Sequence, residues 1–254
     1  LSREISRRRQ LERELREKTA RLEEEDRRKD EFLSMLAHEL RNPLAPLRSG
    51  IHLLSARYGE DDGLRRITGM MRRQVEHMVR LVDDLLDIAR VHRRTLRMQM
   101  ARMPLESAVT QALEMMRPSA DAKQIVVEVE GDLEGVHLRG DQTRLVQVFS
   151  NLLANAIKFT PAGGRITVVQ QREDGAARVE VRDTGVGMEP SLVPRVFEMF
   201  VQGDTTLERT HSGLGIGLTV ARAVVQLHGG EISAHSPGLA MGSVFVVRLP
   251  TTPA

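Results

Sequence analysis

The chain has 254 residues, no cysteine, 28% charged and 41% apolar residues, and a formal net charge of +2. That length allows one large domain or two modest ones, each able to bury a core, and the balance of residues excludes global disorder. Without cysteine it forms no disulfide and no thiolate metal site, and with one Tyr, no Trp and no basic stripe it offers little to nucleic acid.

No apolar run approaches the roughly 20 residues of a membrane span and no signal peptide is visible, so we expect a cytoplasmic fragment without direct membrane contact. The chain starts at Leu1 in mid-helix pattern, which leads us to expect an excised piece with a sensor domain or membrane anchor upstream. Residues 1–30 lack Gly and Pro and read as a connector helix. Leu11, Leu15, Leu22, Phe32 and Leu36 fit a heptad seam, but Arg8, Lys18, Glu25 and Lys29 fall on it too. A weak coiled coil and a solvated helix therefore both remain open.

From Leu33 the pattern sharpens. Leu33, Ala37, Leu40, Leu44, Leu47, Ile51 and Leu54 alternate spacings of four and three, in a register slipped by one from the seam before it. Arg57–Gly63 breaks the helix, and a second amphipathic helix follows from about Leu64 to Leu96. Two long helices joined by a short turn form a hairpin. Each apolar face is wider than one partner helix covers, so residues 31–97 are expected to build a dimeric four-helix bundle. On this heptad His38, Glu39 and Asn42 face outward, with His38 and Asn42 one turn apart. Pro43 and Pro46 weaken the helix beside them, which makes a hinge there plausible on physical grounds.

After Pro104 the pattern becomes mixed α/β, with the boundary near Leu96–Pro104, and residues 104–252 are expected to fold as an α+β sandwich. Helices are expected over Leu105–Ala122, Asp141–Phe159 and Thr219–His228. Strands are expected at Ile125–Glu130, Arg165–Gln171, Ala177–Val181, Glu231–Ala234 and Ser243–Leu249, with Glu173-Asp174-Gly175 as a hairpin turn. Asn151, Asn155 and Lys158 share one helical face, where an amide oxygen suits Mg²⁺ and an ammonium suits phosphate; a merely polar outer face fits as well. Asp183-Thr184-Gly185-Val186-Gly187 follows a strand and is either a plain turn or a carboxylate placed to accept from an adenine amino group. Gly213, Gly215 and Gly217 open a helix, a ready phosphate site. They follow a polar loop and not a strand, so a Rossmann reading fails. Gln202–His211 has no apolar periodicity and reads as a lid, with Arg209 and His211 read as lid surface. The remaining histidines (52, 77, 92, 137, 228 and 235) show no ligand spacing, and the methionines read as core filler.

These segments together resemble the two-component sensor histidine kinases, over residues 32–249. Phe32–Leu44 is similar to their phosphoacceptor box, Asn151–Phe159 to the N box, Asp183–Met188 to the first glycine box, Val196–Phe200 to the F box, and Ser212–Leu218 to the second glycine box. The resemblance implies a gyrase- and chaperone-type ATP-binding domain behind a dimerisation hairpin. It implies that His38 is phosphorylated from ATP, that Glu39 orients or deprotonates its imidazole, and that Asn42 positions water for phosphatase action. By the same resemblance Asn155 ligates Mg²⁺ with Asn151 and Lys158 near the phosphates, Asp183 reads adenine, and Gly185, Gly187, Gly213, Gly215 and Gly217 line the nucleotide. The implied partners are a second copy of the chain, an upstream sensor domain and the receiver domain of a response regulator, with a hybrid kinase carrying its own receiver as one form. Two other classes are weighed against this reading. A scaffold without catalysis has no reason to keep His38, Asn155, Asp183 and the lid glycines together. A gyrase-type ATPase needs a catalytic Glu on the N-box helix, and none lies between Val146 and Phe159.

Overall fold

The computed structural model describes Lys18, Leu40, Leu44 and residues 46–54, 62–92, 98–199, 201 and 216–252. The chain divides into two units, Leu1–Leu96 and Arg97–Ala254.

In the first unit residues 46–54 are helical and helix α1 spans Asp62–His92. Leu44 and Ile51 pack with Val75, Val82 and Leu86 in one buried cluster, with Val79 against it. The seven-residue intervals on both sides are those of a coiled-coil seam. Thr68, one heptad before Val75, is buried too, and its hydroxyl donates to Leu64 O at 2.8 Å, so burial leaves no orphan donor. The adjacent row is not covered: Leu40, Leu47 and Leu54 are 48%, 52% and 41% exposed. Met70, Met71 and Met78 on α1 are exposed as well, as are Met115 and Met241, while Met103 is buried. The reading of the methionines as core filler therefore holds for Met103 and not for these five. The break expected over Arg57–Gly63 falls mostly outside the described residues, and Asp62 and Gly63 already belong to α1.

The second unit runs β1 (Ala101–Pro104), α2 (Leu105–Ala122), β2 (Val126–Gly131), β3 (His137–Gly140), α3 (Gln142–Phe159), β4 (Arg165–Glu173) and β5 (Ala176–Asp183). A 3₁₀ turn (Val193–Arg195), α4 (Gly217–Leu227), β6 (Glu231–His235) and β7 (Ser243–Pro250) follow. β1 and β3 form a small antiparallel ribbon absent from the sequence reading. The main sheet has the order β2-β4-β5-β7-β6, with β2 parallel to β4 and the other pairs antiparallel. Alternate residues face the helices: Val168, Val181 and Phe245 lie side by side across three strands, as do Val179 and Val247, and all are buried. On the opposite face Glu180 is buried between Arg178 and Arg182, which pair with its carboxylate. The β4–β5 turn is the two residues Asp174-Gly175, with Gly175 at φ 68° as a two-residue hairpin demands.

Helix α3 carries the core, burying Leu145, Val148, Phe149, Leu152, Leu153 and Ala156. Both of its ends are tied down. At the start, Asp141 Oδ1 accepts from Arg144 N (3.2 Å), Oδ2 accepts from Gln99 N (2.8 Å), and the Asp141 N–H donates to His228 Nε2 (2.9 Å). His228 Nδ1 donates in turn to Val224 O at 2.8 Å, so this ring is a structural strut between α3 and α4. At the far end the four carbonyls a helix leaves unused are each taken. Ala156 O accepts from Thr160 N, Ile157 O and Lys158 O accept from Lys123 Nζ, and Phe159 O accepts from Val186 N.

Asp141→Ala removes the cap and the tie to Gln99 together. It is expected to lower the unfolding free energy by about 1–2 kcal/mol in urea melts.

Candidate functional site

Asp183 ends β5, where the residue is 9% exposed. Its Oδ1 accepts from Gly185 N at 2.8 Å, and Oδ2 accepts from the Ser243 hydroxyl of the neighbouring strand. The side chain is thus held by one local and one cross-strand donor, which leaves its orientation little freedom. Thr184 is fixed to Arg165 by two backbone-directed bonds, Thr184 N to Arg165 O and Arg165 N to Thr184 Oγ1, both 3.0 Å. Val186 N then donates to Phe159 O (3.1 Å), so the loop after β5 rests on the end of α3. A Cβ on Gly185 would lie 2.6 Å from that same carbonyl oxygen, so only glycine fits between loop and helix.

The loop between β6 and β7 straps the glycine loop from the other side. Ala240 N donates to Val186 O (2.6 Å) and Gly242 N to Gly185 O (3.1 Å). The Ser236 hydroxyl, itself buried, accepts from Met188 N (2.9 Å) and donates to Gly242 O (2.7 Å). Gly187 and Gly242 sit at φ 67° and 70°, and a Cβ on either would overlap a main-chain carbonyl, that of Gly238 or of Asp183. Ala240 also adopts a left-handed backbone (φ 60°), a strain of about 1 kcal/mol that its bond to Val186 helps to hold. Ser236, Gly242 and Ser243 were not singled out in the sequence. The signal available was the Ser236-Pro237-Gly238 and Gly242-Ser243 punctuation between two strands, which reads only as a turn.

Asn151, Asn155 and Lys158 lie along α3, the two amides half-buried and the ammonium exposed. Asn151 Nδ2 donates to the carbonyl of Gly217, the first residue of α4, at 3.0 Å. Lys158 Nζ lies 4.8 Å from the centre of the Phe159 ring. No described residue hydrogen-bonds the Asn155 amide, so an amide oxygen is available on this face. The structure therefore sets Asn151, Asn155 and Lys158 along α3 between two of the candidate glycine segments, with Gly217 against its Asn151 end and the Asp183 loop, with Gly185 and Gly187, against its Phe159 end. Residues 151 to 159 span about 12 Å of helix, comparable to an extended nucleotide. Phe197 is buried, its ring edge-on to Phe245 with centroids 6.2 Å apart, and its carbonyl accepts from Thr219 Oγ1 of α4 at 3.0 Å. His38, Glu39, Asn42, Pro43, Gly213, Gly215 and the stretch Gln202–His211 lie outside the described residues.

A glycine loop braced on an asparagine-bearing helix within an α+β sandwich defines a class, that of the histidine kinase-, DNA gyrase B- and HSP90-like ATPases. Residues 28–94 match the His Kinase A (phospho-acceptor) domain, and residues 140–253 match the histidine kinase-, DNA gyrase B- and HSP90-like ATPase. The chain belongs to the two-component sensor histidine kinases, as a kinase core. Sensor histidine kinase RcsC of Escherichia coli (strain K12) is 33% identical over 251 residues, which cover 97% of this chain and 26% of that protein. The autoinducer 2 sensor kinase/phosphatase LuxQ of Vibrio vulnificus (strain YJ016) is 30% identical over 227 residues, 87% of this chain and 26% of that one. The chain thus spans about a quarter of the length of these two relatives. The crystal structure of full-length ShkA in complex with AMPPNP superposes with a TM-score of 0.71 at 29% identity, covering 88% of this chain and 46% of that one. No helix among the described residues is long and apolar enough to cross a membrane.

Gly187→Ala forces a Cβ against the Gly238 carbonyl at a positive φ. It is expected to cost about 1–3 kcal/mol of stability, with amide exchange at residues 185–188 rising more than in the sheet.

Proposed function

We propose that this chain phosphorylates its own His38 from ATP and passes the phosphoryl group to an aspartate on the receiver domain of a response regulator, with phosphatase activity toward that regulator as the reverse role. The observation that carries the reading is the Asn151, Asn155 and Lys158 row on α3, with a buried, doubly bonded carboxylate beyond one end and a helix N-terminus beyond the other. Asp183 accepts from the exocyclic amine of adenine, which selects adenine over guanine because guanine offers a carbonyl there. The phosphates run along α3 past Lys158 toward the backbone amides of Gly213, Gly215 and Gly217, and these groups together neutralise their charge. The half-buried Asn155 amide oxygen is a hard, neutral ligand that suits Mg²⁺. Bound there beside Asn151, Mg²⁺ supplies further charge neutralisation at the phosphates.

At the hairpin, a ring nitrogen of His38 attacks the γ-phosphorus in line. The new P–N bond forms as the bond to the β,γ-bridging oxygen breaks, ADP departs, and the imidazole proton passes to Glu39. Catalysis is mostly positioning, since the phosphoryl group needs little covalent help. Asn42, one turn on, holds the water that hydrolyses the phosphorylated regulator. In domain terms, residues 1–30 form the connector, 31–97 the dimerisation and phosphotransfer hairpin, and 104–252 the ATP-binding domain.

The uncovered row Leu40, Leu47 and Leu54, beside the covered row Leu44 and Ile51, supports a second copy of the chain as the hairpin's partner in a four-helix bundle. Leu47→Glu is expected to convert a dimer to a monomer in light scattering after size exclusion; an unchanged mass would rule out this face as the dimer interface.

Incubation with radiolabelled ATP tests the central claim. Wild type is expected to gain base-stable, acid-labile phosphate, and His38→Gln is expected to gain none. Label on the His38→Gln variant, or none on wild type, would overturn the kinase assignment. Steady ATP turnover without labelled histidine would instead favour a gyrase-type ATPase.

A further inference from the structure

Lys123 stands at the end of α2, where its chain neighbour Gln124 takes a left-handed backbone (φ 55°). Among the described residues its ammonium meets no carboxylate. It donates to three main-chain carbonyls at the end of α3: Ile157 O and Lys158 O at 2.9 Å and Thr160 O at 3.1 Å. An ammonium has three protons, and each has one of these acceptors. A cation here also sits at the negative end of the helix macrodipole. The Lys123 carbonyl accepts from Gly163 N (3.2 Å), which ties the turn after α3 to the same point. The carbonyl skipped by this set is Phe159 O, and it is the one that receives Val186 N from the Asp183 loop.

We infer that Lys123 is a positioning residue for the nucleotide site: by gathering the carbonyls on either side of Phe159, it turns the Phe159 carbonyl toward Val186 and so sets the height of the Asp183 loop. The inference rests on the reading of that loop as the adenine reader. Lys123 acts through α3 and makes no contact with nucleotide. Loss of its charge frees the last turn of α3, the Phe159–Val186 bond loosens, and the Asp183 carboxylate is held less firmly for adenine. Binding of adenine nucleotide weakens, while phosphoryl transfer from nucleotide already bound does not slow.

The test uses the full chain with Lys123→Met, which keeps the length of the side chain and removes the charge and the donors. The expected result is a rise in KM for ATP of about tenfold at nearly unchanged kcat for autophosphorylation. Hydrogen exchange without nucleotide should show faster exchange at residues 185–188 and unchanged protection in β5 and β7. An unchanged KM, or an exchange increase spread evenly through the domain, would overturn the inference and leave Lys123 a general stability residue. If Lys123→Met does not fold, Lys123→Gln, which keeps two donors, replaces it with a smaller shift in the same two readouts. A failure of the nucleotide reading shows separately, because wild type itself would then bind no ATP.

Discussion

The carbonyl of Phe159 is the joint between α3 and the glycine loop. A helix cannot use its own last carbonyls, so something else must take them. Here the supply is divided: an ammonium from the preceding helix gathers three carbonyls, and the glycine loop takes the one between. That division fixes where the loop can lie, because Gly185 touches the same carbonyl and leaves no room for a side chain. The carboxylate of Asp183, the strap from the β6–β7 loop and the course of the chain toward Met188 all follow from this contact. The other end of α3 is fixed as firmly, through Asp141 and the imidazole of His228, so the helix holds Asn151 against the start of α4.

The helical unit is organised on a different principle. Rows of apolar side chains seven residues apart run along its described helical segments. One row is shared between its two helical segments and the next is left open. Packing of sliding rows tolerates small rotations at low cost, whereas a network of short directional hydrogen bonds does not.

Much of this was legible in the residues. Helix α3 could be read almost to the residue, because an Asp cap, a long apolar face and a Pro-Ala-Gly-Gly stop agree with one another. The β4–β5 hairpin was read from Asp174-Gly175 between alternating strands. The ribbon of β1 and β3 was missed because four residues are too few to show a period. Asn151, Asn155, Lys158 and Asp183 were singled out by spacing and by their neighbours. Lys123, Ser236 and Ser243 were not, since their partners lie 34 to 37, 48 and 60 positions away in the chain. No local pattern marks a lysine that will meet carbonyls instead of a carboxylate. The exposed methionines were misplaced for a related reason, as spacing alone cannot say how many neighbours a helix face will find.

The crowding at Gly187 and Gly242 bears on how this chain can change over time. At most packed positions a larger residue meets a side chain, and a second substitution nearby can make space. Here the obstacle is the carbonyl of Gly238 or Asp183, which belongs to the main chain and is present whatever residue stands there. A side chain at either site must therefore displace main chain, so accommodating one asks the loop itself to move and not a single neighbour to shrink.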